Sequence, residues 1–332
     1  MVLSSLLIGY FLVCTVVYAK GTNNYSPEYS NVSDNRPFKS GIGSGAEMIK
    51  SDRNRTLVIG RVSGRPKKHY KKLKPIVDFV VTRMKDLGII DGSVLIAKDN
   101  NEMIKYLQEG KIDWVTETPF SAILLSEKTG AEIILRRWKR GVPDYRSVFF
   151  VRKDSGINSL NDLKNKKIAF EDAGSTTAYL VPFSVLKKRG FDLIELSSPR
   201  EEPPLDKVGY TFVHGELNIA TWVHEGLADI GAYSNLDWEN RNDTPASYKR
   251  NLKIIHQTRP IPRSVELVRK DLDSNITTRI KEVLLNAHND PEAKEPLYQY
   301  SHTTKFDELK GETVEGLQEV YKILNDMRGE LK

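Results

Sequence analysis

Ser147-Val148-Phe149-Phe150-Val151-Arg152-Lys153-Asp154 and Ser264-Val265-Glu266-Leu267-Val268-Arg269-Lys270-Asp271 carry one pattern, S-V-x-x-V-R-K-D, twice. Each copy reads as a strand that opens on serine and stops at a charged turn. A block of about 110 residues separates them, a normal size for a domain. Similar strands on either side of such a block suit a chain that leaves one lobe, builds a second, and returns. The echo therefore predicts two α/β lobes joined by two crossover strands. Lobe one is expected from residues 56–151 and 264–332, and lobe two from 152–263.

Outward from the echo, strand and helix signals alternate as in an α/β protein. Thr56–Val62 reads as a strand that ends in Ser63-Gly64-Arg65-Pro66. Leu73, Ile76, Val77, Val80 and Met84 then recur at helical spacing. Strands Ser93–Ala97 and Asp113–Thr116 are each followed by a helix, Asn101–Glu109 and Thr118–Lys128. In the central block, strands Lys167–Glu171, near Tyr210–Val213, and Asp229–Tyr233 alternate with helices Thr176–Arg189 and Leu217–Glu225. Pro182 should kink the first of these helices. Ile276–Ala287 and Val314–Arg328 are closing amphipathic helices.

Val2–Ala19 holds no charged side chain, Lys20 ends the run, and Val17-Tyr18-Ala19 suits signal peptidase. Residues 1–19 are read as a signal peptide or a membrane anchor, and 20–55, rich in Asn, Ser and Gly, as a flexible tether. An extracytoplasmic, periplasmic location follows, with membrane tethering through the N-terminus as its variant. The single cysteine, Cys14, lies inside the apolar run. After cleavage nothing remains for disulfides, thiol catalysis or cysteine metal sites.

Composition excludes general disorder, with 39% hydrophobic and 28% charged residues. Lys+Arg outnumber Asp+Glu by 50 to 44, for a net charge of +6. The densest basic runs, Arg65–Lys74 and Arg136–Arg140, are short and lack interleaved aromatics, so nucleic acid is not indicated. They read as a solvated basic face whose field would draw in an anionic ligand. The six histidines show no metal-ligand spacing, and no serine sits in G-x-S-x-G. No cofactor and no metal are expected.

The sharpest local signal is Phe170-Glu171-Asp172-Ala173-Gly174-Ser175-Thr176-Thr177-Ala178-Tyr179. A strand ends, a glycine permits a tight turn, and three hydroxyl residues open a helix. Free N–H groups of a first helical turn, with hydroxyls beside them, make an anion site. No P-loop lysine follows, so nucleoside-triphosphate binding is not indicated.

Leu160-Asn161-Asp162-Leu163 through Lys167-Ile168-Ala169-Phe170, continued by Gly174-Ser175-Thr176-Thr177-Ala178-Tyr179, resembles the second-lobe signature of the phosphate/phosphite/phosphonate substrate-binding proteins of ABC transporters. Lys111-Ile112-Asp113-Trp114, Glu225-Gly226-Leu227-Ala228-Asp229 and Ile261-Pro262 resemble further segments of that family. The likeness runs from about Thr56 to Leu309. It implies a type II periplasmic-binding-protein-like fold, with ligand held between the lobes. Carried over, Ser175, Thr176, Thr177 and the Ala178 amide would hold the anion.

Three positions depart from the family's pattern. Asn100 and Glu117 stand where members have tyrosines. Glu216 stands where members have a histidine, with His214 two residues away as its counterpart. Tyr233 completes the candidate ligand set. Glu117 and Glu216, expected to face the cleft from opposite lobes, would favour a protonated or amine-bearing oxyanion such as an aminophosphonate. The reading is a monomeric binding protein that takes a small anionic or zwitterionic ligand and hands it to an ABC permease by hinge closure. Its rivals are a sensor or scavenger, or an enzyme on the same fold with Glu117 or Glu216 as general base.

Overall fold

Among the described residues of the computed structural model, 56–198 and 200–329, the strands form two six-stranded sheets and one two-stranded ribbon. In chain order they are β1 (Thr56–Val62), β2 (Asp91–Ala97), β3 (Trp114–Glu117), β4 (Glu132–Lys139), β5 (Asp144–Tyr145), β6 (Ser147–Arg152) and β7 (Lys167–Phe170). There follow β8 (Asp192–Glu195), β9 (Lys207–Phe212), β10 (Ile230–Ser234), β11 (Leu252–Gln257), β12 (Ile261–Pro262), β13 (Val265–Val268) and β14 (Thr303–Asp307). The first sheet runs β14-β4-β13-β3-β1-β2 and the second β11-β6-β10-β7-β9-β8. The ribbon pairs β5 with β12, where the chain passes between the sheets.

The repeated pattern occupies matched places. β13 lies antiparallel to β3, whose other neighbour β1 is parallel. β6 lies antiparallel to β10, whose other neighbour β7 is parallel. The opening serines do the same work: Ser147 Oγ donates to the Thr177 carbonyl at 2.8 Å and Ser264 Oγ to the Glu117 carbonyl at 3.4 Å. Each serine thus ties its strand to the chain at or just before a helix start. The closing arginines pair with aspartates, Arg152 with Asp154 and Arg269 with Asp271.

Packing follows the predicted periodicities. Leu57 and Ile59, two apart on β1, meet Leu73, Ile76, Val77 and Val80 of helix Pro66–Val81 in one buried cluster. The second lobe buries Phe149, Val151, Ile168 and Phe170 beneath Leu180, Phe183 and Leu186. Pro182 acts differently from the kink expected of it. Its missing N–H would have served the Ala178 carbonyl in an α-helix. That carbonyl instead accepts from Glu171 N at 3.2 Å. The first turn widens, with Leu180 N donating to the Ser175 carbonyl at 2.9 Å, before helix Val181–Lys188 continues.

The last helix, Glu312–Asp326, spans both lobes. Val320, Ile323 and Leu324 share a buried cluster with Phe120 and Ile123 of lobe one, Ile261 of the ribbon and Phe183 of lobe two. Its ion pairs likewise reach both ways, Arg328 just beyond its end to Glu127 and Glu319 to Lys188. Gly316 permits the approach, since a Cβ there would lie 2.7 Å from Pro262 Cδ. Residues 1–55, with the export segment and tether read from sequence, lie outside the described residues.

Candidate functional site

In open α/β sheets ligands bind outside the carboxyl ends of the parallel strands. In lobe one that edge gathers Val62–Arg65, Ala97–Asn100 and Glu117–Phe120, with the end of β4 and the start of β13 beside them. In lobe two it gathers Phe170–Ser175, Phe212–Glu216 and the end of β10.

The two edges meet at their helix starts. The Phe120 amide, in the first turn of helix Pro119–Thr129, donates to Thr176 Oγ1 at 3.3 Å. Thr176 also bonds the Tyr145 phenol at the ribbon, whose burial pushes its pKa above the ordinary value. Thr176 and Thr177 are both buried. Ser175 is the helix cap: its Oγ accepts from Ala178 N at 3.2 Å. The four candidates of the Ser/Thr start therefore share one turn, opposite a second helix N-terminus across the lobe boundary.

Around this turn lobe two is acidic. The Glu171 carboxyl is pushed up to about 8 by burial and then by Glu216 and Asp172, with a Ser175 hydrogen bond opposing. Asp237 is raised to about 6 by burial and then by Glu216. Asp243 is raised by burial and again by Glu216. Glu216 opens helix Glu216–His224 and faces this group. His214, exposed and with φ of 56°, donates its backbone N–H to the Glu171 carbonyl at 2.9 Å. It thereby anchors the turn that delivers Glu216.

Lobe one is basic at the matching edge. Arg61 is the last but one residue of β1, Lys139 ends β4, Arg140 follows, and Lys68 and Lys72 lie in the first two turns of helix Pro66–Val81. Their mutual repulsion reaches into this group. His69 is lowered to about 3 by burial and then by Arg61, Lys72, Lys68 and Lys139. Lys139 is held well below its ordinary value by burial and then by Arg137, Arg263, Arg61 and Arg140.

Two expectations change here. Glu117 is not a free cleft carboxylate: Oε1 accepts from Val62 N at 2.6 Å and Oε2 from Thr118 N at 3.2 Å. It is buried, with its pKa raised by burial against the pull of Arg61. The end of β3 lies beside that of β1, so its carboxylate satisfies loop amides. Tyr233 is a core residue. It is fully buried against Phe150, and its hydroxyl meets Thr244 Oγ1 at 2.6 Å. Its place on β10 turns it, with Gly231, toward Phe150 and away from the ligand edge. Asn100 opens helix Asn100–Gln108 at the carboxyl end of β2, and its Oδ1 is buried without a hydrogen-bond partner.

The basic edge was missed as a site, although the sequence held its signal. All but Arg61 come from the two densest basic runs, 65–74 and 136–140, read singly as solvated. Glu171, Asp172 and Asp237 went unassigned because their grouping with Glu216 depends on the order of β7, β9 and β10. Among the described residues no three His, Cys, Asp or Glu side chains are grouped to hold a metal ion.

Two α/β lobes, a double crossover and opposed helix starts define a type II periplasmic-binding-protein fold. Residues 66–313 match the family described as the periplasmic phosphonate substrate-binding protein of an ABC transporter, and the chain belongs to that family. It is similar to the phosphonates-binding periplasmic protein of Escherichia coli, 25% identical over 231 residues. That match covers 68% of this chain, and the chain spans 64% of the relative's length. XAC2383 of Xanthomonas citri has been solved with chloride and with ATP. The chloride form is 39% identical, with a TM-score of 0.79, and covers 83% of this chain and 99% of that one. The methylphosphonate complex of PhnD1 from Prochlorococcus marinus shares the fold at 17% identity and a TM-score of 0.62, covering 83% and 99%.

Proposed function

We propose that this chain is an exported binding protein that captures a small phosphorus oxyanion bearing N–H donors at its other end, an ammonium above all. One observation carries the reading: the facing edges have opposite charge, cationic in lobe one and carboxylic in lobe two. A ligand with an anionic head and an N–H-bearing tail answers both edges, and answers them best when the lobes close. The head falls where the Ser/Thr helix start adds amides and hydroxyls. The tail meets Glu216 together with Glu171 and Asp237, and the raised pKa values of the latter two leave them in want of a proton or a cation. Family membership supports delivery to an ABC permease from an extracytoplasmic, periplasmic station, with no reaction performed. The names of the relatives, phosphonate-binding in one case and ATP-bound in another, agree on phosphorus oxyanions as the class.

Thermal-shift titration tests the reading. At equal concentration 2-aminoethylphosphonate should raise the melting temperature more than methylphosphonate or phosphate, because ligand that binds the folded state stabilises by mass action. If phosphate binds best, with affinity flat from about pH 5 to 8 across the carboxylate-to-histidine range, the N–H-bearing tail is refuted. Mass analysis should recover the ligand unchanged; a converted product would favour an enzyme.

A further inference from the structure

The cations of lobe one outnumber what a single phosphonate head needs. Arg61, Lys68, Lys72, Lys139 and Arg140 meet no carboxylate within 4.0 Å among the described residues. Two carboxylates of the same sheet are already committed, and Asp243 of lobe two acts on Arg140 only through space. Glu117 serves two loop amides, and Glu266 is fully buried with Trp114, Thr116, Tyr300 and Arg137. One phosphoryl or phosphonyl group brings at most about two negative charges.

Sheet geometry makes the five converge. Arg61 follows Leu57 and Ile59 onto the face covered by helix Pro66–Val81, and Lys139 follows Leu135 and Arg137 onto the same face. The helix runs in over them, so Lys68 and Lys72 descend on this edge from above. Its N-terminus has Pro66 in the first turn, no side-chain cap and no acidic residue to answer the positive dipole end. His69 Nδ1, buried in the same turn, has no hydrogen-bond partner. Assembling so many unpaired cations costs stability unless an anion joins them. Lys72 and Lys139 are depressed first by burial and then by their cationic neighbours.

We infer that this basic shelf is a second anion site, beside the Ser/Thr helix start, and that the natural ligand carries a chain of two or more phosphoryl groups. This deepens the function proposed above and rests on it: the helix start takes one phosphoryl group and the shelf takes the next.

Calorimetric titration of the full chain with phosphate, pyrophosphate and tripolyphosphate, at one ionic strength, tests the shelf. Affinity should rise at least about tenfold from phosphate to tripolyphosphate, and should fall more steeply with added salt for the longer chain. Lys72→Gln with Lys139→Gln should lower tripolyphosphate affinity at least about tenfold more than it lowers phosphate affinity. The salt comparison needs no variant, so a double variant that melts early leaves the inference testable. Equal affinity and salt dependence for all three probes would overturn the shelf while leaving oxyanion capture standing. Binding of none of these probes, nor of aminoethylphosphonate, would remove both.

Discussion

Glu171 reads as a neutral acid near pH 7, because burial and its neighbours Glu216 and Asp172 raise its pKa to about 8 from 4.5. The folded chain then binds a proton that the unfolded chain releases between those values. Stability should fall as pH rises from about 4.5 to 8, and Asp237, raised to about 6, adds to the same slope lower in the window. Urea midpoints measured across that range should fall steadily toward pH 8. Glu171→Gln, which keeps the neutral shape, should flatten the curve. A stability that rises through the window would contradict the assignment. Sequence could name Glu216 as a ligand candidate, since its place near a helix start is local. It could not name Glu171 as its partner, because their grouping comes from the alignment of β7 and β9. Tyr233 failed for the complementary reason: a strand residue's face is fixed by the neighbouring strands and helices, here Phe150 and Thr244.

At the scale of elements, the Ser/Thr helix start is tied down through Ser175 and Thr176, and we propose that the Thr177 hydroxyl meets the anion. Thr176→Ala with Thr177→Ala removes the Thr177 hydroxyl and, with Thr176, the acceptor for the Phe120 amide, while keeping the backbone. Each charge-assisted hydrogen bond is worth roughly 1.5–3 kcal/mol, so affinity for a phosphonate should drop at least about tenfold by calorimetry. Unchanged affinity in a folded double variant would move the anion elsewhere. This helix was legible because its signals are local: the strand end at Phe170, Gly174, the three hydroxyls and the apolar spacing beyond. Its wide first turn was not, since the kink expected of Pro182 is replaced by a long-range bond from Glu171 N to the Ala178 carbonyl. The short strands β5, β8, β11, β12 and β14 also escaped a local reading. They are edge or ribbon pieces of two to six residues, too brief for an alternation to register.

For the whole molecule, the repeated S-V-x-x-V-R-K-D marks one antiparallel strand in each sheet, but its first copy, expected inside lobe one up to residue 151, lies in the second sheet as β6 because it pairs with β10 and β11. The α/β class follows from strands alternating with helices. What the repeat could not show was how the chain's last helix lies across the ribbon. Gly316 sits where any side chain would press on Pro262 and Ile261, with the Cβ of even an alanine 2.7 Å from Pro262 Cδ and 3.3 Å from Ile261 Cα. Gly316→Val should therefore cost about 1–3 kcal/mol by overpacking, read as a lower urea midpoint. An unchanged midpoint would mean that the helix floats on the ribbon rather than being wedged against it. Mechanically, a rod fastened to both halves of a hinge behaves as a torsion spring. The apolar grip of Val320, Ile323 and Leu324 supplies its stiffness, while the exposed Glu319–Lys188 and Glu127–Arg328 pairs are soft and yield to salt. On the proposed hinge closure, the swing of the lobes is then resisted by a helix that packs across the ribbon.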